Sequence, residues 1–227
     1  IYSACSLLDT ISEPFVKYFG IYMPKIWDEG QTELVKEQIK KGIVFYLAIT
    51  LGILTALFYL LRPLMELFLK KDVADMAQME PLVLIIGLGI ISLGLTRILG
   101  QIFRYLKKNH LALVYRLFAA ACNFGLNFIF IPKWGLIGAG VTTLFSYALL
   151  AILNNVYLNL KFDKNFTLSL LKISFAGSCV VLWFNIFPIK HIQGFFVQMF
   201  SAGILYVCLM FMLGVVRFKD IKEQNFV

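Results

Sequence analysis

The sequence predicts an all-α polytopic membrane protein, and three observations carry that expectation. Of its 227 residues, 60% are hydrophobic and only 15% are charged, with a mean hydropathy of +0.81, which leaves too little polar surface to coat a soluble globule of this size. The apolar residues fall in runs of roughly 20, the helical length that crosses a hydrocarbon core about 30 Å thick. The Lys and Arg residues behind the net charge of +8 collect in short loops between those runs, as membrane topology requires and as a nucleic-acid-binding face does not.

About seven segments are long enough to span: residues 2–22, 42–62, 81–103, 111–131, 135–159, 167–188 and 193–216. The first is interrupted by Asp9, Glu13 and Lys17 at successive i+4 steps, so one helical face presents acid, acid and base, with Glu13 able to pair internally with Lys17. The same charges also fit a partly aqueous or broken span. A polar helix is expected over residues 24–41, lying along the cytoplasmic interface. Between Trp27 and Lys41 it places Leu34, Val35 and Ile39 on one apolar face, with Glu33–Lys36 and Glu37–Lys41 at pairing distance along the helix. After the second span, residues 67–80 are polar enough for water, and Pro81 suits the first turn of the next helix.

The third span carries Arg97, Gln101 and Arg104 at i, i+4 and i+7, hence on one face. Arg104 beside Lys107 and Lys108 also fits a side chain that snorkels to the interface. The fourth span carries Arg116, Asn123 and Asn127 as a similar stripe, in which buried amides can serve either a wet cavity or interhelical bonding. Pro132 and Gly135 then end one helix and open a tight turn, while Gly138, Ala139 and Gly140 let the next helix approach a neighbour closely. Gly138, Thr142 and Ser146 form a small-residue stripe that reads as helix packing. The last two spans are apolar, with Phe195, Phe196 and Phe200 as lipid-facing or packed anchors.

Four cysteines, Cys5, Cys122, Cys179 and Cys208, sit singly in apolar sequence and read as small hydrophobes. No GxxxxGK[ST] phosphate loop is present, and His110 and His191 fall near opposite membrane faces. No enzyme centre, cofactor or metal site is therefore expected. Alternate loops rich in Lys and Arg, from Lys25–Lys41, Arg104–Lys108 and Lys161–Lys164 to the tail with Arg217, Lys219 and Lys222, go to the cytoplasm; residue 1 then lies outside and the C-terminus inside. The chain starts with Ile and its first residues lack a signal-peptide pattern, so it is expected to begin inside a longer protein.

From Asn123 to Thr143 the sequence resembles the C-terminal half of the polysaccharide, O-antigen-type flippases of the multidrug/oligosaccharidyl-lipid/polysaccharide exporter superfamily. The resemblance rests on Asn123, Asn127, Ile131-Pro132, Gly135, Gly138-Ala139-Gly140 and Thr142-Thr143. The order of surrounding parts extends it over the whole chain. It implies the C-terminal lobe of a two-lobed, inverted-V transporter of about fourteen helices, the N-terminal lobe lying outside this sequence. It further implies a multi-pass protein of the bacterial cytoplasmic (inner) membrane. That protein would move polyprenyl-pyrophosphate-linked sugar units to the outer leaflet for cell-surface polysaccharide and lipopolysaccharide biosynthesis. The implied partners are that lipid-linked oligosaccharide, membrane lipid, the missing N-terminal lobe and a polysaccharide polymerase, with no nucleic acid.

An anionic head of that kind needs cations and neutral hydrogen-bonding groups along a wet route. The residues placed to provide them are Lys17, Arg97, Gln101, Arg104, Arg116, Asn123 and Asn127, with Asp9 and Glu13 as groups that respond to protons or cations. Pro132, Gly135, Gly138, Gly140 and Thr142 are the structural part of the motif. A cation-coupled multidrug antiporter of the same superfamily is the main rival, kept alive by Asp9 and Glu13. A membrane enzyme acting on lipid-linked sugars, or a noncatalytic subunit of an envelope complex, are rivals of other classes.

Overall fold

The computed structural model describes residues 2–64, 80–160, 163–187 and 192–216, and every regular element among them is helical. The chain divides into two compact units, one of residues 1–46 and 81–161, the other of residues 47–80 and 162–227. His191, the loop 67–80 apart from Glu80, and the basic tail from Arg217 lie outside the described residues.

The first unit opens with α1 (Tyr2–Thr10) and α2 (Ser12–Asp28), so the expected continuous span over 2–22 is a broken one. Pro14 explains the break: it has no N–H for the Thr10 carbonyl and its ring crowds that carbonyl. Ser12 Oγ donates to the Asp9 carbonyl at 2.7 Å, taking up a neighbouring acceptor locally. α2 runs past residue 22 through Pro24 and stops where Gly30 takes φ +83°. There Gln31 N–H donates to the Ile26 carbonyl and Gly30 N–H to the Trp27 carbonyl, the paired bonds of a glycine-terminated helix end.

α3 (Thr32–Leu64) then continues for 33 residues without interruption. The expected separate helix over 24–41 is therefore not present as one element; it divides between the end of α2, the Gly30 turn and the first turns of α3. The change at residue 42 is one of hydropathy and not of backbone, since nothing at Lys40-Lys41-Gly42 stops a helix. At about 1.5 Å per residue, α3 exceeds the hydrocarbon thickness, so part of it extends beyond the bilayer core. Of the expected apolar face, Val35 and Ile39 are buried while Leu34 is exposed. Both anticipated ion pairs form, Lys36 to Glu33 at 2.7 Å and Lys41 to Glu37 at 3.3 Å.

α4 (Glu80–Tyr105), with Pro81 in its first turn, is the most buried of the long helices. Gly94 sets its fit against α3, because a Cβ there would lie 2.0 Å from the hydroxyl of fully buried Tyr46. That hydroxyl donates to the Ile91 carbonyl at 3.2 Å, so the tyrosine is both packed and satisfied. At the other end, Tyr105 donates to the Phe19 carbonyl of α2. Cys5 is buried on α1 with its thiol 3.8 Å from the Val83 carbonyl.

α5 (Asn109–Leu158) is two limbs joined at Gly135, whose φ of 55° and ψ of −128° lie outside the helical region. The expected spans 111–131 and 135–159 correspond to these limbs. They double back on each other: Asn127 accepts a hydrogen bond from Thr142, 15 residues on, a separation of about 22 Å along a straight helix. A Cβ at Gly138 would meet the Phe130 carbonyl oxygen at 2.3 Å, so only glycine allows this crossing. Gly140 faces Ile85 of α4, where a Cβ would sit 3.0 Å from its methyl. The inward stripe of the second limb is Gly138, Thr142, Ser146, Leu150, Asn154 and Leu158.

The second unit joins the rest of α3 to α6 (Lys164–Ile186) and α7 (Ile192–Met212). Asp163 caps α6, accepting from Phe166 N–H at 3.0 Å, in the usual N-cap manner. Its core is Leu60, Val180, Phe184, Phe195 and Ala202, with Tyr59 stacked on Phe184 at 5.3 Å. Tyr206 donates to the Ala48 carbonyl at 2.6 Å across the same unit. Phe195 is a packed anchor, whereas Phe196 and Phe200 are exposed.

Five described helices are long and apolar enough to cross a membrane, α3 to α7. With α5 bent into two limbs, the chain is an all-helical membrane protein with five to six long apolar helices. The count falls short of seven because the segment of α1 and α2 is broken and charged.

Candidate functional site

Two adjoining cavities open in the first unit between the Arg97 face of α4 and the first limb of α5. One, of about 390 Å³, is lined by Arg97, Gln101, Arg104, Asn109 and Arg116, with Val16, Gly100, Ala112 and Leu113 between them. The other, of about 510 Å³, is lined by Thr96, Asn123, Thr143, Ser146 and Tyr147 on an apolar floor that includes Leu93, Ala119 and Leu150. Arg97 and Arg116 border both. The helical spacing of Arg97, Gln101 and Arg104 thus sets three polar groups along one wall, and the spacing of Arg116 and Asn123 sets the wall opposite. Arg116 reaches across so that a Cβ on Gly100 would touch its Nη2 at 3.7 Å.

Arg97 is held from the side. Its Nη1 lies 2.8 Å from Asp9 Oδ1, at an angle that makes an ion pair and not a directed hydrogen bond, and donates to Glu13 Oε1 at 3.2 Å. The three side chains are 34%, 32% and 51% exposed, so solvent screens both pairs and each contributes at most about 1 kcal/mol. Glu13 therefore pairs with Arg97 of α4 and not, as its spacing implied, with Lys17. The break at Ile11 lets α1 and α2 each present one carboxylate to the same guanidinium.

Gln101 is 2% exposed; its Nε2 donates to the Arg97 carbonyl at 3.2 Å, and its Oε1 has no partner. Arg104 and Arg116 are exposed cavity walls. Lys17 is exposed and lines neither cavity. Asn127 also lines neither; its Nδ2 donates to Asn123 Oδ1 at 3.1 Å and its own oxygen receives the Thr142 hydroxyl. It ties the two limbs of α5 together. Pro132, Gly135, Gly138, Gly140 and Thr142 belong with it as scaffold.

Thr96, Asn109 and Tyr147 escaped sequence reasoning, while Ser146 was read only as helix packing and Thr143 only as part of the Asn123–Thr143 motif. Thr143 and Tyr147 lie four apart, one step around the helix from the buried Thr142–Ser146 stripe, but that rotation is legible only once the crossing at Gly138 is known.

Three similarities bear on this arrangement. Residues 21–129 match the model of the MatE family. Over 202 residues the chain is 22% identical to an uncharacterized membrane protein of Methanocaldococcus jannaschii, covering 87% of this chain and 38% of that protein. The lipid II flippase MurJ, solved in an inward closed conformation, superposes with a TM-score of 0.69 at 15% identity, covering 95% of this chain and 48% of MurJ. The sequence thus spans less than half the length of either protein. It is a multi-pass, all-helical membrane protein with a segment that matches the MatE family model and a fold like that of about half of MurJ.

Proposed function

We propose that this chain is the C-terminal lobe of a lipid-linked oligosaccharide flippase of the multidrug/oligosaccharidyl-lipid/polysaccharide exporter superfamily. It carries polyprenyl-pyrophosphate-linked sugar units from the cytoplasmic to the outer leaflet by alternating access, with a second lobe completing the route. The observation that supports this most is the cavity bordered by Arg97, Arg104 and Arg116, since guanidinium groups bind phosphate oxygens in pairs and Arg keeps its charge in any environment. An anion moving outward gains about 2.3 kcal/mol per charge per 100 mV of inside-negative potential, so the membrane potential can drive the step. In this reading the C-terminus and the polar stretch over 24–41 face the cytoplasm of a bacterial inner membrane. An O-antigen-type repeat unit is the cargo, handed on to a polysaccharide polymerase.

The multidrug antiporter reading rests on Asp9 and Glu13. Both already face Arg97, so a coupling cation there would have to displace a guanidinium. A vesicle assay separates the two. The complete protein should move a labelled undecaprenyl-pyrophosphate-linked oligosaccharide, and Arg104→Ala with Arg116→Ala should slow it at least tenfold, on the basis of roughly 1.5–3 kcal/mol per charged hydrogen bond. An unchanged rate in the double variant, or efflux of cationic drugs in place of lipid movement, rejects the proposal.

A further inference from the structure

The two adjoining cavities differ in what they offer a ligand, and the difference lies in where the hydrogens already point. In the 510 Å³ cavity, Thr143 Oγ1 donates to the Ala139 carbonyl at 2.8 Å, Ser146 Oγ to the Thr142 carbonyl at 2.7 Å and Thr96 Oγ1 to the Leu93 carbonyl at 2.7 Å. A hydroxyl has one hydrogen, so all three present only acceptor lone pairs to the cavity. The 390 Å³ cavity has no hydroxyl among its lining residues: its charged groups, the guanidiniums of Arg97, Arg104 and Arg116, can only donate, and Asn109 brings the positive start of α5 to its rim.

The cavity with three guanidiniums takes an acceptor-rich anion, and the one that adds three acceptor hydroxyls to the shared Arg97 and Arg116 and the Asn123 amide takes a neutral group that both donates and accepts, as sugar hydroxyls do. An ammonium headgroup would also donate, but Arg97 and Arg116 border both cavities and would repel it. We infer that the pair is a two-part site for a glycosyl phosphate: the phosphate among Arg97, Arg104 and Arg116, and the sugar bonded directly to it against Thr96, Thr143, Ser146 and the Tyr147 ring. The sugar then sits deeper along α4 and α5, and the phosphate toward the Arg104 and Asn109 end. This inference rests on the proposed lipid-linked substrate and adds which end of the headgroup occupies which cavity. Thr143 becomes a specificity-determining residue.

Binding to the complete protein in phosphatidylcholine nanodiscs separates the two parts. The probes are farnesyl pyrophosphate and farnesyl-pyrophosphoryl-N-acetylglucosamine. The sugar-bearing probe should bind more tightly. Thr143→Val keeps the shape and removes the acceptor, so it should weaken that probe roughly three- to tenfold, the effect of one hydrogen bond, and leave farnesyl pyrophosphate unchanged. Thr143→Ser should restore the wild-type ratio, which a packing defect would not. Arg116→Gln should weaken both probes alike. Equal affinities for the two probes, or equal losses in Thr143→Val, would overturn the two-part site while leaving a lipid-pyrophosphate cavity standing. Failure of both probes to bind would remove the functional reading and this inference with it.

Discussion

At the scale of single residues, Arg97 is the pivot, because the groups that hold it resemble the group it is proposed to bind. Asp9 and Glu13 put carboxylate oxygens 2.8 and 3.2 Å from its Nη1, and each is replaceable by a phosphate oxygen of similar charge and geometry. Both pairs are screened, so displacement costs little. The variant Asp9→Asn with Glu13→Gln should therefore bind farnesyl pyrophosphate up to about thirtyfold more tightly, having lost two internal competitors each worth no more than about 1 kcal/mol. Titration of the purified complete protein checks this, and unchanged or weaker binding counts against a competing role. Sequence spacing placed Arg97, Gln101 and Arg104 on one face correctly. It could not show that Glu13 reaches Arg97, because those residues are 84 apart in the chain and i+4 arithmetic sees only neighbours on one helix. For Lys17 the charge was legible and the direction was not: the side chain is exposed and lies outside both described cavities.

At the scale of elements, the bend in α5 decides whether the site exists. Both limbs contribute to the second cavity, Asn123 from the first and Thr143 from the second. Their crossing depends on Gly135 at positive φ and on Gly138 against the Phe130 carbonyl. Gly135→Ala should lower stability by about 1–3 kcal/mol, the usual cost of forcing a side chain into such a conformation, seen as a lower thermal midpoint in detergent. Gly138→Val should do more damage, since its Cβ would overlap a backbone atom that cannot swing away. Asn127→Leu removes the Thr142 link and should cost about 1 kcal/mol, as interhelical polar contacts in membranes do. A Gly138→Val protein as stable as wild type would contradict the crossing. Pro132 and Gly135 made this bend legible in advance. Pro14 carried an equivalent signal for the α1–α2 break that the acid-acid-base spacing obscured, and the helix expected over 24–41 failed because a polar segment and an apolar one can share an unbroken backbone.

At the scale of the whole molecule, the membrane class followed from the length of the apolar runs, a property that survives almost any error in element boundaries. What the runs do not encode is pairing. A helix of lipid-compatible residues looks the same facing lipid or facing protein, so the walls of the cavities emerged only from the folded chain. The likeness to MurJ covers 95% of this chain and 48% of that one, and the proposed route needs a second lobe to enclose its cargo. Accordingly, this chain expressed alone should show no lipid movement in vesicles, and transport by the isolated chain would refute the two-lobe account. The central claim, that the arginine cavity receives a lipid-linked pyrophosphate, is tested most directly by cryo-electron microscopy of the complete protein with farnesyl pyrophosphate bound. The account predicts pyrophosphate density in contact with the guanidinium groups of Arg97, Arg104 and Arg116; density elsewhere with that cavity empty would contradict it.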